Sequence, residues 1–183
     1  MKEIIINETI NLFNEYGYKF SMDNLSKNLQ ISKKTLYKYF SSKEELITYI
    51  IDESFNEVHI KQQQIFNSNL DTETKLRKIL TTNFTREDKI KLEKAKDISK
   101  YYPKLSTKIN NRYREEWTLV EILLIKGKEN GIFEYWSLSY TIALLKEAMS
   151  LVIDHISENI TYTQAINLSM NSFIDSIKKG QTT

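Results

Sequence analysis

Residues 20–46 read FSMDNLSKNLQISKKTLYKYFSSKEEL. The apolar residues of this stretch come in short beats, Met22, Leu25, Leu29, Ile31, Leu36 and Phe40, instead of the long stripe of one helix. Ser21 and Ser32 stand where a hydroxyl can accept from the free amides of a helix start. The spacing predicts two short helices, 22–28 and 33–39, joined by a tight turn. With Leu25, Leu29, Ile31 and Leu36 facing inward, this is a helix-turn-helix pattern. Ser42-Lys43-Glu44-Glu45 then forms a capping box: the Ser42 hydroxyl accepts from the Glu45 amide, and the Glu45 carboxylate reaches back to the amide of Ser42. A long helix runs from there to about Asn67.

Outward from this stretch the chain stays helical. Ile6, Ile10 and Phe13 recur on one face, widened by Ile5, Leu12 and Tyr16, and Gly17 follows as a stop, so a first helix covers about 3–16. Downstream, helices are expected at about 71–84, 88–100, 104–130, 137–157 and 162–178. Their limits are marked by Asp71, Pro103, Asn130-Gly131 and the Thr161/Gln164 capping box. The 183 residues favour one or two domains, and only four glycines and one proline punctuate them. Sandwiches and barrels need far more turns, which excludes an all-β fold. The fold class is all-α, with about nine helices.

Composition also narrows the chemistry. With no cysteine there is no disulfide, thiolate metal site or Cys nucleophile, and the two histidines, His59 and His155, lie on different expected helices without an acidic cluster. No glycine-rich phosphate loop, nucleophile elbow or HExxH motif occurs, and the adjacent Glu115 and Glu116 diverge by about 100° on a helix. An enzyme is the weak rival; no metal or cofactor is implied. The start, Met1-Lys2-Glu3-Ile4, lacks the apolar run of a signal peptide, and the longest aliphatic run, 122–125, is far short of the roughly 18 residues of a membrane span. A cytoplasmic protein without membrane association is expected.

The charge of the whole chain is only +2. Residues 19–43, however, carry Lys19, Lys27, Lys33, Lys34, Lys38 and Lys43 against Asp23 alone, a local +5 that leaves −3 for the remainder. In helix 33–39, inward Leu36 leaves Lys33, Lys34, Thr35, Tyr37 and Lys38 on exposed faces. Such a helix can enter a major groove, with Lys reaching guanine edges, Thr a thymine methyl and the Tyr hydroxyl a phosphate. Ser21 and Lys43 sit at helix starts, where free amides also favour phosphate. A solvated lysine face is the bland alternative; the helix-turn-helix order raises DNA binding above it.

Residues 12–26, LFNEYGYKFSMDNLS, and 31–46, ISKKTLYKYFSSKEEL, resemble the N-terminal DNA-binding domain of the TetR family of bacterial transcriptional regulators. Beyond residue 46 only the helix count and the segments 102–105 (YPKL) and 131–133 (GIF) are similar. The resemblance implies a homodimer, with a three-helix DNA-binding domain at 1–46 and a helical ligand-binding and dimerisation domain at 47–183. It assigns helix 33–39 as the recognition helix, with Lys33, Lys34, Thr35 and Lys38 reading bases and Ser21, Tyr37, Tyr39 and Lys43 holding phosphates. The implied partners are double-stranded operator DNA, a second copy of the chain and a small apolar or aromatic ligand. Two positions depart from the pattern: Ser26 replaces a small alanine, and Gln30 replaces the turn glycine. A positive φ at Gln30 would cost on the order of 1 kcal/mol.

Two further groups are candidates. Phe55, Phe84, Tyr101, Tyr113 and Trp117 belong to an aromatic-rich second half; core packing is the default for them, and an apolar ligand pocket with polar tips is the functional reading. Helix 137–157 is apolar around most of its circumference, so a second face is left for a partner subunit. Tyr140, Leu144, Ala148, Leu151, Ile166, Met170 and Phe173 are the interface candidates. The expected function is a ligand-responsive repressor on a near-palindromic operator, with the helix from Ser42 as the lever between DNA-facing and ligand-facing parts. The alternative is a helical small-molecule-binding or scaffold protein that has lost operator binding, a reading motivated by Gln30.

Overall fold

The computed structural model describes residues 1–82, 101–155 and 160–180, without the side chains of 109, 110, 113–116, 153–155 and 162. Among these residues the helices are α1 (Lys2–Tyr16), α2 (Met22–Asn28), α3 (Lys33–Tyr39), α4 (Lys43–Phe66), α5 (Thr72–Leu80), α6 (Pro103–Glu116), α7 (Thr118–Glu129), α8 (Leu138–His155) and α9 (Tyr162–Ile177), with a 3-10 turn at Gly17–Lys19. The all-α expectation holds. The expected helix 88–100 lies outside the described residues. One expectation is corrected: 104–130 is two helices, separated at Trp117. Position 117 carries no glycine, proline or capping side chain to announce a break, but turning the chain there buries the Trp117 ring beside Val120, Leu123 and Leu124.

Packing groups the chain into two compact units, one of residues 1–57 and 84–112, the other of 58–83 and 113–183. In the first, α1 contributes Ile5, Ile6, Ile10, Leu12 and Phe13 to a core completed by Phe20, Met22, Leu25, Leu36, Phe40, Leu46, Ile47, Ile50 and Leu105. Each such side chain contributes roughly 1.5–3 kcal/mol on burial. Tyr16, expected to widen the α1 stripe, is exposed instead, because α1 ends there and Gly17 turns the chain with φ 60.

In the second unit α5, α7, α8 and α9 enclose Leu76, Ile79, Trp117, Leu124, Phe133, Leu145, Ile166, Met170 and Ile174. Gly127 is required there by contact: a Cβ on it would lie 2.1 Å from the Phe133 ring. That ring follows a Schellman stop in which Gly131 (φ 69) donates to the Lys128 carbonyl and Ile132 to the Gly127 carbonyl. Arg77 ties α5 to α9, pairing with Glu73 (2.8 Å) and Asp175 and donating to the Asn171 side chain at 3.0 Å.

The turn between α2 and α3 is a second Schellman motif. Gln30 donates to the Lys27 carbonyl and Ile31 to the Ser26 carbonyl, both at 3.0 Å. Gln30 itself has φ 53, the only positive φ of a residue other than glycine among the described residues. The left-handed conformation is therefore adopted without the residue that suits it. Gln30→Gly is expected to stabilise the protein by about 0.5–1 kcal/mol, read as an increase in the denaturant midpoint at unchanged m-value. A loss of stability would show that the glutamine side chain has a compensating contact.

Candidate nucleic-acid interface

Ser21 starts α2 with a reciprocal cap: its hydroxyl accepts from the Asn24 amide at 3.1 Å, and the Asn24 side chain accepts from the Ser21 amide at 3.1 Å and from its hydroxyl. Ser32 starts α3 in the same way, accepting from the Thr35 amide at 3.0 Å with the two hydroxyls 2.8 Å apart. Between these caps the Schellman turn fixes the angle at which α3 leaves α2. Burial of Leu36, which is fully enclosed, then fixes the rotation of α3 about its own axis. Lys33, Lys34, Tyr37, Lys38 and Tyr39 are exposed as a result, and Thr35 is half-buried. Lys34 and Lys38 are one turn apart and share a face.

The basic residues are not equivalent. Lys33 pairs with Asp23 at 2.6 Å, but both side chains are more than half exposed, so the pair contributes at most about 1 kcal/mol and leaves Lys33 able to exchange its partner. Lys43 is turned inward: its ammonium donates to the carbonyl of Phe20 at 2.6 Å and to that of Tyr18, and lies 4.2 Å from the centre of the Phe20 ring. Burial pushes the Lys43 ammonium below the usual lysine range. At the start of α4 the box differs in one partner. Ser42 accepts from the Glu45 amide at 3.0 Å as expected, but the Glu45 carboxylate accepts from the amide (2.7 Å) and hydroxyl of Ser41, not from Ser42. Those bonds hold the Glu45 carboxyl below its usual range.

The aromatic candidates are dispersed. Phe55 is buried in the first unit with the Arg112 guanidinium 5.9 Å from its ring centre, and Tyr101, in the same unit, stacks on Tyr18 with centroids 3.4 Å apart. Trp117 belongs to the second core, with the Lys146 ammonium 5.2 Å from its ring. Phe84 and the Tyr113 side chain lie outside the described residues. Of the interface candidates, Tyr140, Leu144 and Leu151 are exposed, while Ala148 and Phe173 are half-buried against the second core. Ile166 and Met170 are enclosed by the chain itself and have no surface left for a partner. Trp136, 91% exposed, and Leu168, 63%, were missed by periodicity because Trp136 precedes its helix and Leu168 sits alone among polar residues.

A model of the bacterial regulatory proteins of the tetR family matches residues 5–50, which span α1, the helix-turn-helix and the start of α4. Residues 5–50 carry the DNA-binding domain of the TetR family. Among proteins similar to this chain is the uncharacterised HTH-type transcriptional regulator YvaF of Bacillus subtilis, 27% identical over 130 residues, 70% of this chain and 68% of the relative. Another is the biofilm operon icaADBC HTH-type negative transcriptional regulator IcaR of Staphylococcus epidermidis, 39% identical over 57 residues, 31% of each chain. The fold matches the crystal structure of the regulator FadR from Bacillus subtilis in complex with stearoyl-CoA, with a TM-score of 0.73 at 15% identity, covering 97% of this chain and 100% of that one. The protein is a helix-turn-helix transcriptional regulator of a family of DNA-binding proteins, not of enzymes.

Replacing Lys34 and Lys38 together by Ala is expected to lower affinity for bound DNA by at least about 10-fold and to flatten the dependence of log K on log salt. Unchanged affinity and slope would remove α3 from the interface. Tyr37→Phe, by contrast, should weaken all DNA sequences about equally, as the loss of a phosphate contact does.

Proposed function

We propose that this regulator is a ligand-responsive repressor that acts in the cytoplasm and binds a near-palindromic operator as a homodimer. Residues 1–46 make up its DNA-binding part, and 47–183 its ligand-binding and dimerising part. The observation that carries the reading is α3, whose single buried residue, Leu36, leaves Lys33, Lys34, Tyr37, Lys38 and Tyr39 outward beside half-buried Thr35. Lys33, Lys34, Thr35 and Lys38 read base edges. Ser21, Tyr37 and Tyr39 hold phosphates and set register. Repression is supported by the likeness to IcaR, a negative regulator.

Against the alternative that Gln30 suggested, a helical small-molecule-binding or scaffold protein that has lost operator binding, stands the turn itself, which closes with both Schellman hydrogen bonds in place. Dimerisation is supported by exposed Tyr140, Leu144 and Leu151 along α8, and by Trp136, whose ring meets Tyr140 edge-on at 6.4 Å. Large exposed apolar side chains at this density mark an interface rather than an ordinary surface. In a competent dimer the two α3 helices lie about 34–36 Å apart, one turn of DNA. The ligand is a small apolar or aromatic molecule, a reading supported by the stearoyl-CoA complex of FadR at the level of fold alone. It acts by population shift: a ligand that prefers the arrangement with misaligned recognition helices weakens DNA binding by its differential affinity for the two states.

Two measurements test this. The DNA upstream of the protein's own gene should be retarded in a gel shift at concentrations where a random duplex of equal length is not; equal retardation of both would sink the operator reading. Leu144→Glu or Leu151→Glu should convert a dimer into a monomer in sedimentation, and the emission of Trp136 should shift to the red as the dimer dissociates. A dimer of undiminished stability would remove α8 from the interface.

A further inference from the structure

The helix-turn-helix, Met22–Tyr39, packs on the first core through Met22, Leu25 and Leu36, and is flanked in the chain by Phe20 and Lys43. Its two ends are joined by a side chain. The Lys43 ammonium donates to the Phe20 carbonyl, 23 residues earlier, at 2.6 Å, donates also to the Tyr18 carbonyl, and rests 4.2 Å from the centre of the Phe20 ring. We propose that Lys43 is a positioning residue that staples the base of the reading head, and that Tyr101 buttresses the staple by stacking on Tyr18. The inference rests on the DNA-binding reading above and replaces the phosphate role first assigned to Lys43.

Three observations carry it. The carbonyls of Tyr18, within the 3-10 turn, and of Phe20, its C-cap, both accept from the ammonium, so one side chain bridges the turn before α2 and the start of α4. A lysine in the first turn of α4 is placed against the helix dipole, so its presence there has to be explained by another partner, and the two carbonyls and ring face are that partner. Burial, finally, depresses the pKa of Lys43. The cost of keeping the ammonium charged there is relieved as the pH rises from that lowered pKa to the ordinary lysine value, and below that range the two carbonyls and the Phe20 ring offset it.

On the buttress side, the rings of Tyr18 and Tyr101 lie 3.4 Å apart and 19° from parallel. Tyr102 and Leu105 pack into the core that holds Phe20 and Leu36, and Lys108 of α6 pairs with Asp52 of α4 at 2.5 Å. The segment leading into α6 is thereby joined to the residues that hold the base of the loop. A change in the position of Tyr101 moves Tyr18, and with it one of the two carbonyls that Lys43 grips.

A phosphate contact and a staple predict different losses. Lys43→Met and Tyr101→Ala are each titrated with the DNA upstream of the gene and with a random duplex, across a salt series. The staple predicts at least a 10-fold loss on the upstream DNA, little change on the random duplex and an unaltered salt slope. Equal loss on both duplexes, with the slope reduced by about 0.9 per protomer, would show that Lys43 holds a phosphate and overturn the proposal.

Hydrogen exchange without DNA keeps the test independent of the operator. The amides of residues 17–22 should exchange at least 10-fold faster in Lys43→Met while those of α9 keep their rates. Unchanged exchange at 17–22 overturns the staple whatever DNA does, and acceleration throughout would assign Lys43 a merely global role. A wild-type protein that does not distinguish the two duplexes removes the DNA-binding reading and leaves the staple to be decided by exchange.

Discussion

A helix of seven residues does not hold its shape in water, because the cost of nucleating it is not recovered in two turns. α3 exists because Leu36 is buried in the core that also holds Leu25, Phe40 and the α1 isoleucines, with Ser32 capping one end and the Phe40 amide bonding back to the Leu36 carbonyl at the other. That single burial sets the rotation of the helix, and the rotation sets what faces outward. Had the inward residue been one position earlier or later, the helix would turn by about 100° and a different set of side chains would meet solvent. The reading surface is thus chiefly a product of apolar packing: the lysine face adds the exposed Lys33–Asp23 pair between α3 and α2, which contributes at most about 1 kcal/mol.

Much of this was legible because it depends on local rules. Caps at Ser21, Ser32, Asp71 and Thr161 are written in one residue and the amide three positions on, and all four side chains accept the expected bond. What depends on tertiary contact was not legible. The break at Trp117 has no local signal, since its cause is burial of an indole in a core assembled from distant residues. Ile166 and Met170 lie on an apolar stripe that by spacing alone suits a partner subunit or the protein's own core equally well, and the structure gives it to the core. Glu45 reached Ser41 instead of Ser42 because the chain before α4 is extended at Phe40, where φ is −143 and ψ 118, and the amide within reach depends on that approach.

The charge of the reading head changes meaning in the structure. Six lysines against one aspartate give +5 over residues 19–43. Lys43 directs its charge into the protein, and Lys33 shares its charge with Asp23. Lys19, Lys27, Lys34 and Lys38 are exposed. Counting charge along the sequence overstates the field that DNA would meet, but it locates the right segment, because even the inward lysine is there to hold that segment together.

Gln30 and Lys43 represent opposite ends of the same constraint. Both are residues that local preference disfavours where they stand: a side chain at positive φ in one case, a cation at a helix start in the other. At Gln30 the cost is offset by two backbone hydrogen bonds that a glycine would make equally well, so the position tolerates its residue without needing it. At Lys43 the offset comes from the side chain itself, through bonds that only a long cation can reach. A disfavoured residue whose compensation lies in the backbone is replaceable; one whose compensation lies in its own charged tip is held by what that tip does. The distinction locates the functional constraint at the base of the helix-turn-helix loop and not at its turn.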